Sequence, residues 1–366
     1  MIGVFRRLRK LFKGGRTNSR LLKTIALAFA LNLAFGAAFY AFESPVDETL
    51  TPSDAFWWAM VTMTTVGYGD FMPTTLGGRY LVAYPCFLVG IGLIAYLVGT
   101  IAEAMIENVS RKRRGLMSIT ESGHVVVCNF PNVERILRLL EEMRAEEKYR
   151  DRLFVLVTDK IDELPEKLVG KNVQFVKGDP TREEILHRAN VLECDGVMVL
   201  AEDPGNPDSD LRTFAVGTII ELIEKHEGRA IKTIVEMLRK SNTDMINKAG
   251  VDGIVSPEDI GGALLVQEYL DPGVCAVVEQ LITTTEGSQF YLYETHLLGH
   301  KVRQLQQAII EHPTDLQIVG VLRQKNAIMN PPKEMTIEQG DKLVLLAKSR
   351  EDFQPIENDL LSRASA

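Results

Sequence analysis

Positive charge is absent from a long stretch of this chain, and negative charge from the stretch before it. No lysine or arginine occurs from residue 24 to residue 78. The first 23 residues hold eight (Arg6, Arg7, Arg9, Lys10, Lys13, Arg16, Arg20 and Lys23) and no acid. The net charge of −8 over 366 residues therefore hides a basic arm and a correspondingly more acidic remainder. A basic arm beside apolar sequence points to orientation in a membrane rather than to nucleic acid. Cysteine is scarce as well: Cys86, Cys128, Cys194 and Cys275 lie far apart with no CxxC pair, which excludes a disulfide framework and fits a reducing cytosol. The length leaves room for two or three domains, each with its own core.

Two long apolar runs follow the arm. The first, TIALAFALNLAFGAAFYAF from Thr24 to Phe42, has Asn32 as its one strongly polar member. At ~1.5 Å per residue it covers a hydrocarbon core of about 30 Å, and it is too long for the apolar region of a cleaved signal peptide. The second, Leu81 to Ala102, carries no charge, continues as helix into Glu103 and Glu107, and ends in RKRR at 111–114. Between them the loop offers Glu43, Asp47, Glu48 and Asp54. Both basic ends, and with them both termini, are thereby expected in the cytoplasm, with the acidic loop outside the cell membrane.

That loop contains its own helix signal. Thr51 is placed to cap, Pro52 suits the first helical position and Asp54 the first turn. AFWWAMVTM then reads as a short apolar helix that re-enters rather than spans, ending before Thr65. After it comes TVGYG. A dehydrated cation needs a column of oxygens, which successive carbonyls supply if left- and right-handed dihedrals alternate, and Gly67 and Gly69 fall where glycine makes that alternation cheap. Thr65 adds a hydroxyl at the inner end, while Val66 and Tyr68 turn away from the axis. TVGYG resembles the filter sequence of potassium channels, in which such carbonyls replace the ion's hydration shell.

On these residues, 24–110 resembles the pore of two-transmembrane potassium channels, with Thr64 to Asp70 matching the signature TTVGYGD and Trp57 and Trp58 the aromatic cuff. The resemblance implies a homotetramer in membrane lipid, potassium in a filter formed by Thr65, Val66, Gly67, Tyr68 and Gly69, and Asp70 as its support. One departure stands out: Val61 is apolar where some channels place a glutamate behind the filter. In the second span Gly90 and Gly99 are candidate gating hinges, Gly90 because LVGIG matches the hinge region of RCK-gated channels, with close helix packing as the plainer reading. Glu103 and Glu107 fall near the inner mouth, where four copies would concentrate cations or simply be solvated.

Beyond a polar linker (111–123) the pattern becomes α/β. HVVVCNF, RLFVLVTD, VQFVKGD, GVMVLAED, IKTIVEML and GIVSP are short β-branched runs separated by amphipathic stretches, which predicts a parallel, doubly wound sheet over 124–257. A helix-turn-helix crossover is expected over 258–284, a small α+β lobe over 285–350, and a loosely ordered tail over 351–366. HVVVC, GDPT, IVSP and the closing GDKLVLL make this part similar to the RCK domain, the regulator of potassium conductance. The fold class expected is thus a membrane α-helical pore of two transmembrane helices, a re-entrant helix and a filter loop, joined to a cytosolic Rossmann-like RCK domain. The resemblance implies an octameric ring, four of whose copies could be soluble products started at Met117.

The gating ligand is left open. After the first strand, residues 128–133 contain no glycine where a dinucleotide fold has G-x-G-x-x-G. Asp159 and Asp179 nevertheless end strands where a nucleotide ribose could be held, or they cap helices. Calcium-gated members of the family use an acid at the end of the fourth strand and two on the fifth. Here Leu200 and Leu238 occupy two of those positions and Glu236 the third. Glu202, Asp203, Asp208 and Asp210 in AEDPGNPDSD offer a displaced calcium site or a solvated loop. His296 and His300 share an i, i+4 spacing, but Gly299 and a strand-like context speak against zinc. A ligand-gated potassium channel, calcium or another cation favoured and an adenine nucleotide the alternative, is the reading; a membrane-tethered NAD oxidoreductase is the remote one, and no enzyme is expected.

Overall fold

The computed structural model describes residues 15–285, 287–324 and 326–365, so that most of the basic arm lies outside the described residues. The chain divides into two units, one up to Arg113 and one from Arg114 onward.

The first unit is helical. Helix α1 (Gly15–Glu43) contains the first apolar run. Helix α2 (Pro52–Met63) begins as its sequence dictates: the Thr51 hydroxyl accepts from Asp54 N, and the Asp54 carboxylate accepts from Thr51 N at 3.1 Å. A wide, π-helical turn (Gly78–Ala83) leads into α3 (Tyr84–Arg113). That turn sits immediately before Pro85, which has no N–H to donate and whose ring crowds the carbonyl four residues back. Two segments, Leu22–Glu43 and Gly78–Arg113, are long and apolar enough to cross a bilayer. Their leucines, isoleucines and valines include many that are exposed, such as Leu27, Leu88, Ile91 and Val98. This is a membrane protein.

The second unit opens with six parallel strands: β1 (Val125–Cys128), β2 (Phe154–Thr158), β3 (Val173–Lys177), β4 (Gly196–Val199), β5 (Thr233–Glu236) and β6 (Gly253–Val255). Every strand predicted from the sequence is present, in the order β3-β2-β1-β4-β5-β6. The order reverses between β1 and β4, which leaves a crevice at their carboxyl ends. Both faces are covered, as continuous runs of valine require. Val126, Val155 and Val197 pack with Val216 and Ile220 of α6 (Ser209–Glu227), which lies in sequence between the short helices α5 (Glu183–Arg188) and α7 (Thr243–Ala249), while Val127, Phe154 and Leu156 pack with Ile136 and Leu140 of α4 (Val133–Ala145). Each such side chain contributes about 1.5–3 kcal/mol on burial.

The linker is fastened to this sheet at one residue. Gly115, two residues beyond α3, has φ +64° and its carbonyl accepts from Lys177 N of β3 at 3.0 Å and from Arg188 Nη2 at 2.7 Å. A Cβ at 115 would collide with the Lys177 nitrogen.

Helices α8 (Pro257–Leu270) and α9 (Val274–Ile282) form the expected crossover to a four-stranded antiparallel sheet, ordered β7 (Gln289–Glu294), β10 (Lys342–Ala347), β8 (Gln317–Arg323), β9 (Asn326–Met329). The tail differs from expectation. Residues Gln354–Ser365 are helical, because Phe353 and Ile356 are buried in the core of this lobe and the Glu357 carboxylate accepts from Tyr293 Oη, Thr295 Oγ1 and His296 N.

Candidate functional site: filter loop and strand-end crevice

The backbone after α2 alternates as a carbonyl column requires. Thr65, Gly67 and Gly69 have φ of +60°, +60° and +78°, with no positive φ at Val66 or Tyr68. Thr65 is the one residue of the three with a Cβ. The loop is fastened to the carboxyl end of α2, where Val61 O accepts from Val66 N at 3.0 Å and Gly67 N at 3.4 Å.

The two tryptophans divide their work. Trp57 Nε1 donates to Asp70 Oδ2 at 2.7 Å, and its ring lies parallel to Tyr68 at 6.0 Å, so it braces the outer half of the loop. Trp58 is buried and stacks on Phe39 of α1 at 3.9 Å, so within the chain it anchors α2.

In the sequence Glu43 is one acid among several between the two apolar runs. The structure buries it, 3 % exposed, with its carboxylate accepting from Thr74 N and Oγ1 and from Thr75 N and Oγ1 at 2.5–3.1 Å. A Cβ on Gly78 would fall on this carboxylate. Nothing local signals the contact, since the partners lie 31 and 32 residues apart in sequence. Replacing Glu43 with alanine leaves four donors without their acceptor, at roughly 1–3 kcal/mol for each one kept from water. The expected result is a potassium current that decays during recording while the response to gating ligand is kept. A steady current at native amplitude would remove Glu43 from the support of the outer mouth.

Gly90 is buried and α3 runs through it without a break. A Cβ there would meet Met63 Cα at 2.7 Å, so the packing reading has a direct physical basis at this residue. Gly92 and Gly99 face open space. Glu103 and Glu107 are exposed one helical turn apart on α3.

In the second unit, the crevice between β1 and β4 is filled by a side chain. Arg212 of α6 donates from Nε to Asn129 Oδ1 at 3.1 Å, and its Nη2 lies 2.7 Å from Asp159 and 3.1 Å from Asp179. Glu202 stands 3.3 Å from Nε and also 3.3 Å from Lys160 Nζ. Asn129 follows β1 with φ +71°, taking the left-handed conformation where a dinucleotide fold would have glycine. Burial pushes the Asp179 carboxyl up, but hydrogen bonds from Thr181 and the charge of Arg212 more than offset this and hold it below the ordinary range.

The acids of AEDPGNPDSD are not brought together. Asp203 closes a local turn onto Gly205 N at 3.0 Å, and Asp208 is exposed. Asp210 is buried and accepts from Leu238 N, Arg239 N and Asn242 Nδ2, tying α6 to the end of β5. Glu236 pairs with Arg135 and accepts from Ala201 N at 2.9 Å. Among the described residues no three His, Cys, Asp or Glu side chains are gathered to hold a metal. Asp159, Asp179 and Glu202 do share one guanidinium, a convergence that sequence spacing did not reveal.

Three domain families match in order: an ion channel over residues 27–107, a calcium-activated potassium channel slowpoke-like RCK domain over 120–242, and a TrkA-C domain over 290–352. The chain is 27 % identical over 297 residues to potassium channel protein 1 of Methanocaldococcus jannaschii, covering 78 % of this chain and 83 % of that one. It is 28 % identical over 308 residues to the calcium-gated potassium channel TvoK of Thermoplasma volcanium, covering 82 % and 83 %. The human SLO3 gating ring aligns with a TM-score of 0.51 at 15 % identity over 65 % of this chain, which spans 46 % of that one, and shows likeness of fold alone. An ion-channel pore followed by a regulatory domain of the RCK kind is therefore the class that fold and filter define. Within it, the relatives that this chain resembles are named potassium channels, and the family models place an ion-channel domain ahead of an RCK domain.

Proposed function

We propose that the protein is a ligand-gated, potassium-selective channel of the cell membrane, with both termini in the cytoplasm. Four copies each give one filter strand, Thr65 to Gly69, and potassium occupies the column. The alternation of positive φ at Thr65, Gly67 and Gly69 between two membrane-length helices carries this reading. The second unit acts as a gating ring rather than an enzyme, as eight RCK copies in which four start at Met117. Gly115, fastened to β3 two residues after α3, gives the ring a short grip on the inner helix. Glu103 and Glu107 line the inner mouth.

A cation, with calcium the first to test, is the favoured ligand, supported by the acids at the strand ends. The nucleotide alternative, resting on Asp159 and Asp179, is the weaker one: the loop after β1 has no glycine, and Asp159 is engaged by Arg212. Since calcium prefers six to eight oxygens and Glu236 is already paired, activation is expected in the range of about 0.1–1 mM. In flux from reconstituted channels it should survive Glu236→Gln better than combined Asp179→Asn and Glu202→Gln, the acids that converge at the strand ends. Micromolar activation abolished by Glu236→Gln alone would place the ligand at the fifth strand instead.

A further inference from the structure

We infer that Arg212 is a built-in occupant of the strand-end crevice, an autoinhibitory contact that an outside ligand has to break. In a sheet of this order the crevice at the β1–β4 reversal is where ligands enter. Here one guanidinium spans it, reaching the residue after β1 (Asn129), the residue after β2 (Asp159), the loop after β3 (Asp179) and the loop after β4 (Glu202). Arginine suits this role because its planar fork serves several acceptors at fixed angles, whereas an ammonium is a compact point charge. The side chain is 21 % exposed, so water reaches it and a competitor could.

The position of Arg212 is itself fixed. Two residues earlier on α6, buried Asp210 accepts from Leu238 N, Arg239 N and Asn242 Nδ2, which pins the first turn of the helix against the end of β5. The crevice is therefore closed by default, with Arg212 joining its four strand ends.

Occupation by Arg212 also bears on the pore. Asp179 lies two residues beyond Lys177, whose backbone nitrogen donates to Gly115 O, and Gly115 follows α3 by two residues. An entering ligand that takes Asp179 from Arg212 acts beside the strand to which Gly115 is bonded, two residues along the chain from the last residue of α3. A ligand shifts an equilibrium only by its differential affinity for the two states, so the contact sets the concentration at which any crevice ligand works. The inference rests on the reading that this ring is ligand-gated.

The test uses purified full-length channel and titrates calcium chloride, then ADP, each alone, against the native protein, Arg212→Gln and Arg212→Lys, with potassium flux recorded in parallel. Arg212→Gln should tighten binding of at least one probe tenfold or more. Adding Asp159→Asn should reverse the gain, and Arg212→Lys should fall between native and Arg212→Gln. Potassium selectivity should be unchanged throughout, so that a failure here is distinct from failure of the channel reading. Equal binding of both probes by native, Arg212→Gln and Arg212→Lys proteins, with selectivity intact, would overturn the inference. Should Arg212→Gln not assemble, Arg212→Lys decides by the same comparison, a threefold gain supporting the contact and no gain overturning it.

Discussion

Gly67→Ala is expected to abolish potassium conduction. Gly67 has φ +60°, and no atom lies within 4 Å of where its Cβ would be, so the substitution meets no clash inside the chain and acts through the backbone alone. Holding alanine left-handed costs about 1–2 kcal/mol, which four strands multiply to roughly 4–8 kcal/mol. The loop has an alternative, because relaxing φ at 67 removes one carbonyl of the column from its axis. Potassium flux through reconstituted protein should fall by two orders of magnitude or more while the protein still assembles. Native flux with native selectivity in Gly67→Ala would mean that the column does not pass through this residue.

Gly90→Ala should be nearly as damaging, and for a different reason. A hinge reading of LVGIG predicts a stiffer helix, lower open probability and untouched selectivity, since alanine favours helix over glycine by about 1 kcal/mol. The structure adds a stronger effect. A Cβ at 90 stands 2.7 Å from Met63 Cα and 2.9 Å from Met63 O, backbone atoms at the end of the helix that carries the filter loop. Overpacking of this kind costs typically 1–3 kcal/mol, and here the strain is delivered two residues before Thr65. Gly90→Ala is therefore expected to reduce both potassium selectivity and thermal stability. Gly99→Ala, in open space, should change open probability alone. Unchanged selectivity with reduced opening in Gly90→Ala would restore the simple hinge.

What could be read from the sequence was what repeats or what is close in sequence. The capping of α2 by Thr51, Pro52 and Asp54 spans four residues, and TVGYG spans five. The strands of the parallel sheet announced themselves by valine runs, because burial on both faces leaves no room for alternation. What escaped is long in range. Glu43 meets Thr74 and Thr75 across the whole re-entrant loop, and Arg212 meets Asn129, Asp159, Asp179 and Glu202 only because the sheet sets four strand ends side by side. No spacing rule encodes either contact. The tail helix was missed because its two burying residues, Phe353 and Ile356, are too few to show a period. The acids of AEDPGNPDSD looked like one cluster because they are close in sequence, yet Asp210 turns inward as a tether and Asp208 faces outward.

The central claim, a column selective for potassium, is tested most directly by the reversal potential of the reconstituted channel between potassium chloride on one side and sodium chloride on the other. A filter built from Thr65 to Gly69 predicts a shift toward the potassium equilibrium potential corresponding to at least a hundredfold preference, about 2.7 kcal/mol at ~1.36 kcal/mol per factor of ten. A reversal potential near zero, with sodium carrying current as readily as potassium, would contradict it.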